Sequence, residues 1–425
     1  AAIGQSRFDR QSLKTAIFQT GWTRFDQLAR KKRHGEAAEL ARELLRVFPE
    51  HDELNGVVRR ETLAMHLNAA EENQRQQLFQ KAVQELDQAL RFASDDQVRC
   101  QVLLRRVAVL RDWARNCSER DAAVKHLDEA WKDAEKVLAI APDPGLVRRV
   151  RAQIALERGR LFRTEQPPLR AVDEFLRALR EDPSAASARQ ELAEIESEFS
   201  ALGGNYFQEA QQKENSEAEA DQVNRTYRRA IEALGVAVRA AEGLSGPERL
   251  ARHRFLRGLA RSRLAPPDCE GAVEDLESFL KLTEPEGARR PPDKRASPSD
   301  KERPSAGASP FRALAYSRLA WILATCHNDA VRDGQKAVEY AREACQLLQP
   351  LFDARPDDET AFTNYVNAQK ALAAAYAESG DFDRAVKVTR FLLALLEENS
   401  LEWKQQRALL ELYQQSKPLR EGQEP

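Results

Sequence analysis

The side chains of this 425-residue chain that could perform chemistry are its six histidines, five cysteines and abundant carboxylates. The histidines are His34, His51, His66, His126, His253 and His327, and none neighbours a serine or cysteine in a nucleophile-and-base spacing, apart from the adjacent pair Cys326-His327. Adjacent residues on one helix point in different directions, so a metal at that pair would need ligands from elsewhere. Cys100, Cys117, Cys269, Cys326 and Cys345 are odd in number and never spaced Cys-x2-Cys. That pattern predicts small buried apolar residues in a reducing compartment rather than a disulfide frame. Phosphate loops, dinucleotide-binding glycines, zinc-protease helices, nucleophile elbows and kinase signatures are all missing from the sequence. Carboxylate pairs are common, and in a chain with 32% charged residues they read as solvated helix faces. The expectation is a chain with no intrinsic enzymatic activity, no cofactor and no metal.

Charge narrows the partner class. Lys and Arg number 66 against 68 Asp and Glu, a formal net charge of -2. Phosphate neutralisation needs a concentrated basic excess, so no nucleic-acid partner is expected. The basic stretches 30–33 and 148–151 read as solvated turns or helix faces. The longest apolar runs, 319–326 and 391–396, fall far short of the roughly 20 residues that span a bilayer, so no membrane insertion is expected. The chain begins at Ala1 without methionine, and no apolar targeting core follows. A cytoplasmic location is expected, as is the possibility that the chain is a segment of a larger protein.

The elements that position these side chains are helical. Ala, Leu, Arg, Glu and Gln recur, and no stretch alternates apolar and polar residues for long enough to make a sheet. Apolar stripes return along the chain at i, i+4, i+7 and i+8: Ala37, Ala41, Leu44 and Leu45, then Ala82, Leu86, Ala89 and Leu90. Ala130, Ala134, Val137 and Leu138 form a third, closed by Pro142, and Ala171, Phe175, Ala178 and Leu179 a fourth, closed by Pro183. Further echoes lie at Ala230, Ala272 and Ala337. A small residue at the head of each stripe lets two helices approach, and the larger ones fill the groove between them. Self-similarity at roughly 30–50 residues predicts an all-α solenoid of stacked antiparallel helix hairpins.

The copy carrying Leu372, Ala373, Tyr376, Gly380, Asp381, Ala385 and Val386 resembles the tetratricopeptide repeat. Glu397 stands where that repeat usually has proline, and Thr389 replaces its customary aromatic residue. The segment 319–326, followed by Arg332-Asp-Gly and the Ala337 stripe, resembles a bacterial subclass with a longer inter-helix loop. The resemblance implies a right-handed superhelix of hairpins. It also implies a concave groove, lined by the first helix of each hairpin, that binds a peptide or partner protein. On the C-terminal copy it puts Asn367, Lys370, Ala374 and Glu378 on the groove side. Asn367, Lys370 and Glu378 are therefore the candidate partner-binding residues; an amide and a cation one turn apart can hold a carboxylate or a peptide backbone.

Four regions are expected: hairpins over 1–200, further hairpins over 201–283, a linker over 284–310, and a capped C-terminal array over 311–425. The linker is proline-rich and lacks large apolar residues, which predicts disorder. Residues 203–224, with Gly203-Gly204 and a polar run, are expected to interrupt the array as a long exposed helix or a loose connection. A terminal helix packed through Leu401, Leu409 and Leu412 is expected to cap the last hairpin, with the tail from Lys417 frayed. The function these features imply is a non-enzymatic protein–protein interaction scaffold. Two alternatives remain open at this point: a regulatory or substrate-docking region of a larger enzyme such as a signalling kinase, and a purely structural assembly subunit.

Overall fold

In a computed structural model, which describes residues 2–216, 218–284 and 310–420 with side chains from residue 11 onward, the chain forms seventeen α-helices and no strand among those residues. It divides into two compact units, Ala1–Arg189 and Gln190–Pro425. The first holds α1 (Ala2–Arg30), α2 (His34–Val47), α3 (Asp52–Arg75), α4 (Phe79–Arg91), α5 (Asp96–Asn116), α6 (Arg120–Ile140), α7 (Pro144–Phe162) and α8 (Leu169–Glu181). The second takes most of α9 (Ala186–Asn215), then α10 (Ala220–Ala241), α11 (Pro247–Arg261) and α12 (Cys269–Leu282). It continues with α13 (Pro310–Thr325), α14 (Gly334–Ala354), α15 (Glu359–Glu378), α16 (Phe382–Leu395) and α17 (Leu401–Gln414). Within each unit, consecutive helices pack as hairpins: α3 on α4, α5 on α6 and α7 on α8 in the first, α11 on α12, α13 on α14 and α15 on α16 in the second.

Local sequence sets the helix boundaries. Asp95, Asp143, Asp268, Asp333, Asp358, Asp381 and Ser400 each sit at an N-cap, where the side-chain oxygen accepts a backbone N–H of the first turn. Pro144 and Pro247 open α7 and α11, at positions where a missing N–H costs nothing. Gly380 follows α15 with φ of +84°, a left-handed turn that favours glycine and sends the chain into α16.

The stripe-heading alanines Ala37, Ala82, Ala130, Ala171, Ala230, Ala272, Ala337 and Ala385 are all fully buried. A second feature follows them. Three residues beyond the alanine, four of these helices carry an acid: Glu85, Asp133, Glu174 and Asp275. Each is held by a basic side chain on the preceding helix of the same hairpin, an arginine in three cases and a histidine ring in the fourth. His66 reaches Glu85 at 2.7 Å, Arg106 pairs with Asp133, Arg158 lies 3.2 Å from Glu174, and Arg257 lies 2.6 Å from Asp275. Asp275 is the extreme case. It has no exposed surface, takes a two-pronged grip from Arg257 (2.7 and 2.6 Å), and accepts a further contact from Arg261 at 3.0 Å.

Helix separation within a hairpin is set by glycine. A Cβ on Gly258 of α11 would lie 2.9 Å from Leu276 Cγ of α12, and one on Gly159 of α7 would lie 2.4 Å from Phe175 of α8. In both hairpins the large side chain is the one four residues after the stripe-heading alanine. Backbone and side chain thus meet with no room for a methyl group.

Several expectations change here. Of the two readings of 203–224, the long helix is the one found over its first part: α9 runs through Gly203 and Gly204, where a Cβ at Gly203 would come 2.7 Å from Leu234 and the bare backbone lets α10 approach. The expected linker 284–310 lies outside the described residues except at Glu284 and Pro310. The helices on its two sides, α12 and α13, pack on each other in one core with Phe255, Leu276, Leu319 and Ile322. Cys269 and Cys326, expected as separate thiols, are joined as a disulfide between these helices. The terminal helix caps through Leu409 and Tyr413, whereas Leu401, 73% exposed, does not pack. The expected fraying from Lys417 is absent as far as Arg420: Leu419 is buried against α15 and α17, and Arg420 reaches Glu378 at 2.5 Å. No described helix is long and apolar enough to cross a membrane.

Removing one partner of a buried pair strands the other charge. Asp275→Ala is therefore expected to destabilise the second unit by about 3–5 kcal/mol, with Glu274→Ala on the exposed face of the same helix changing it by under about 0.5 kcal/mol. Urea denaturation followed by far-UV circular dichroism checks this; equal effects of the two substitutions would refute the clasp. The buried His253 ring lies 2.5 Å from Glu196. Burial lowers the pKa of its imidazolium, outweighing the opposing pull of Glu196. The unfolded chain therefore takes up this proton more readily than the fold, and the stability His253 contributes falls as pH drops below about 6.5. His253→Gln should flatten that part of the melting-temperature profile between pH 7 and 5.

Candidate partner-binding site

In the first unit, α1, α3 and α5 together line a partly open face. Along α3, Gly56, Arg60, Leu63, Leu67, Ala70 and Gln74 recur at three- and four-residue steps and form one stripe. Two cavities open on it. The larger, about 650 Å³, is lined by Trp22 of α1, Val57, Arg59, Arg60 and Leu63 of α3, and Phe92 after α4. The smaller, about 260 Å³, lies further along α3 between Leu67, Gln74, Leu86, Arg105 and Val109.

The floor of this face is apolar and its rim is charged. Val57, Ala70, Leu86 and Val109 are buried, while Trp22, Leu63 and Phe92 are half-exposed. Arg59, Arg60 and Arg105 are exposed and form no ion pair among the described residues. Of the acids on the rim, Glu71 is matched by Arg75 at 2.5 Å, and Glu53 is exposed. Gln74 donates to Asp112 at 2.6 Å and ties α3 to α5. Guanidinium groups over an apolar floor suit a chain that alternates carboxylates with apolar side chains. The sequence signal of this face is the shared period of Gly56, Arg60 and Leu63 along α3.

The residues expected to bind a partner lie on α15 in the second unit. Asn367 is exposed. Lys370 is half-buried, and desolvation lowers the pKa of its ammonium. Glu378 faces inward to two cations, Arg332 at 3.1 Å and Arg420 at 2.5 Å, joining the loop before α14 to the segment after α17. Ala374, placed on the groove side by the resemblance, is instead buried against Ala337 and Ala341 of α14, because α15 is covered on that face by its neighbours.

The remaining chemistry-bearing side chains serve packing. His34, His66 and His253 each bond a carboxylate, Glu61, Glu85 and Glu196 respectively. His51 stacks on Phe18 and His126 on Trp113, with ring centres 4.4 and 3.8 Å apart. Trp131 lies under the Arg151 guanidinium at 4.3 Å, and Trp321 packs half-buried between α14 and α15. Thr389, at the aromatic position of the repeat pattern, is fully buried with its hydroxyl donated to the Ala385 carbonyl at 2.8 Å.

Small-headed stripes and close-packed hairpins define an all-α protein built from repeated helix hairpins. The chain is similar to several solved structures of that type. The TPR2AB domain of yeast Sti1, solved in complex with pHSP90, is 14% identical over 72% of this chain and 98% of that one, with a TM-score of 0.24. Yeast Tom70 is 12% identical over 94% of this chain and 96% of its own, with a TM-score of 0.22. A tetratricopeptide repeat protein from Parabacteroides merdae is 11% identical over 83% of this chain and 99% of its own, also at 0.22. No family model and no curated protein matches the sequence. The fold assignment rests on the chain's own helices and packing, not on these superpositions.

If Glu378 is a strut, its loss is felt in stability before binding. Glu378→Ala is expected to destabilise the second unit by about 1–3 kcal/mol, the usual cost of a lost charge-assisted bond, and to loosen the segment after α17. Hydrogen exchange at 415–420, faster in the variant than in the parent, checks this.

Proposed function

We propose that this chain is a non-enzymatic scaffold that holds an extended, acidic peptide segment of a partner protein along the α1, α3 and α5 face of its first unit. The observation that carries this reading is the set of three exposed guanidiniums, Arg59, Arg60 and Arg105, without an ion-pair partner among the described residues, above the apolar floor of Val57, Leu63 and Val109. Apolar side chains of the peptide fill the two cavities, and its carboxylates meet the arginines in planar, two-bonded contacts that lysine would not reproduce. The groove is built before binding, so ordering costs fall mainly on the peptide. Asn367 and Lys370 on α15 serve as a second polar contact set in the other unit. Near-zero net charge over the chain supports a protein partner over nucleic acid.

Fluorescence polarisation with a labelled peptide of alternating Glu and Leu, against its Lys-and-Leu counterpart, tests this. The acidic peptide is expected to bind saturably, and the pair Arg60→Glu with Arg105→Glu to weaken it by about 10-fold or more, the equivalent of one charged hydrogen bond. Affinity should fall with added salt. Equal binding of the two peptides, or no effect of the double variant, would count against the reading.

A further inference from the structure

Cys269 is the first residue of α12, and Cys326 follows directly on the last residue of α13. Both are buried, at 3% and 0% exposure, and the fold brings their sulfurs together from a sequence separation of 57 residues. A third donor is present that a disulfide does not need. His327 is exposed beside them, and one ligand atom from each of Cys269, Cys326 and His327 lies within 4.8 Å of the others. Its ring has no hydrogen-bond or stacking partner among the described residues, unlike the other five histidines.

We propose that, with the two cysteines reduced, Cys269, Cys326 and His327 bind one zinc-class divalent cation, leaving a fourth position open to water. Two thiolates and an imidazole are a donor set that zinc accepts at bond lengths of about 2.3 Å to sulfur and 2.0–2.1 Å to nitrogen. Tetrahedral bonds of those lengths separate the donors by roughly 3.5–3.8 Å. Opening the sulfur–sulfur bond lets the sulfurs relax to that spacing, and a side-chain rotation of the exposed histidine closes the third edge. Two thiolates balance the charge of the ion, so the buried site stays neutral.

The surroundings fit metal ligation. The Asn328 N–H donates to Cys326 Sγ at 3.3 Å, the kind of backbone bond that supports a thiolate ligand. Asn328 Nδ2 donates to Glu270 Oε1 at 3.2 Å, joining the turn that carries Cys326 and His327 to the helix that carries Cys269. Arg332 donates to the Cys326 carbonyl at 2.8 Å and fixes the same turn.

Cobalt(II) titration of the full chain, reduced with a phosphine under anaerobic conditions, tests this. One equivalent is expected to give a thiolate-to-cobalt charge-transfer band with tetrahedral visible absorption, bleached by zinc. The double variant Cys269→Ser with Cys326→Ser is expected to lose the band. His327→Ala, a surface change that leaves the core intact, is expected to weaken binding by at least about 10- to 100-fold, since even loss of an outer-shell partner costs that much. Absence of the band in reduced protein with parental helix content overturns the proposal and leaves the pair as a covalent link alone. Retention of the band in the double variant, or parental affinity in His327→Ala, overturns it equally.

Discussion

In four of the hairpins, an acid three residues after the small alanine, paired with a basic side chain on the preceding helix, is the constraint on which the helix alignment depends. A carboxylate taken out of water is tolerated only with a cation in contact, and Asp133, Glu174 and Asp275 each have an arginine on the preceding helix, while the more exposed Glu85 meets the His66 ring. Such a pair adds less to net stability than its Coulomb energy implies, because both groups lose hydration. What it adds is register. A slip of either helix by one residue would leave a bare charge in an apolar seam, so the pair selects one alignment out of several that apolar contacts alone would accept. The device is graded: Glu85 remains a third exposed, whereas Asp275 is sealed and held by three arginines.

Register within the hairpins in turn decides what their first helices offer. With the second helices α4 and α6 fixed behind them, α3 and α5 present the stripe of Gly56, Arg60 and Leu63 and the opposing Arg105 and Val109 to solvent. The arginines of the clasp and those of the open face look alike in sequence. They differ in what lies one helix away: Arg106 finds Asp133, and its neighbour Arg105 is exposed. In the proposed function, specificity for a partner resides in side chains that the hairpin leaves unused.

The helices and their cores were legible because their signal is local. Alanine at the head of each stripe and the apolar residues that follow it at helical spacing are read directly from the sequence, and all eight heading alanines are buried. The site was less legible because its contents depend on non-local pairing. Glu378 shares the helix spacing of a groove residue, and only the arrival of Arg332 and Arg420, 46 and 42 residues away, makes it internal. The same holds for Cys269 and Cys326, whose meeting depends on α12 and α13 packing side by side across residues 285–309. Gly203-Gly204 left two readings open for a different reason. Glycine pairs usually signal a break in a helix, and here the missing Cβ admits Leu234.

The fit of Gly159 to Phe175, and of Gly258 to Leu276, has an evolutionary corollary. In each case both halves of the fit lie in the same hairpin, as do the cation and acid of its clasp. A gene duplication that copies one hairpin intact therefore copies a complete set of mating parts, and needs no simultaneous change in its neighbours. A crossover between the two helices would join a methyl to a phenyl ring, or strand an acid without its base. Recombination that preserves folding should break such a chain between hairpins. The outward-facing residues can then diverge from copy to copy while the inner lock is inherited unchanged.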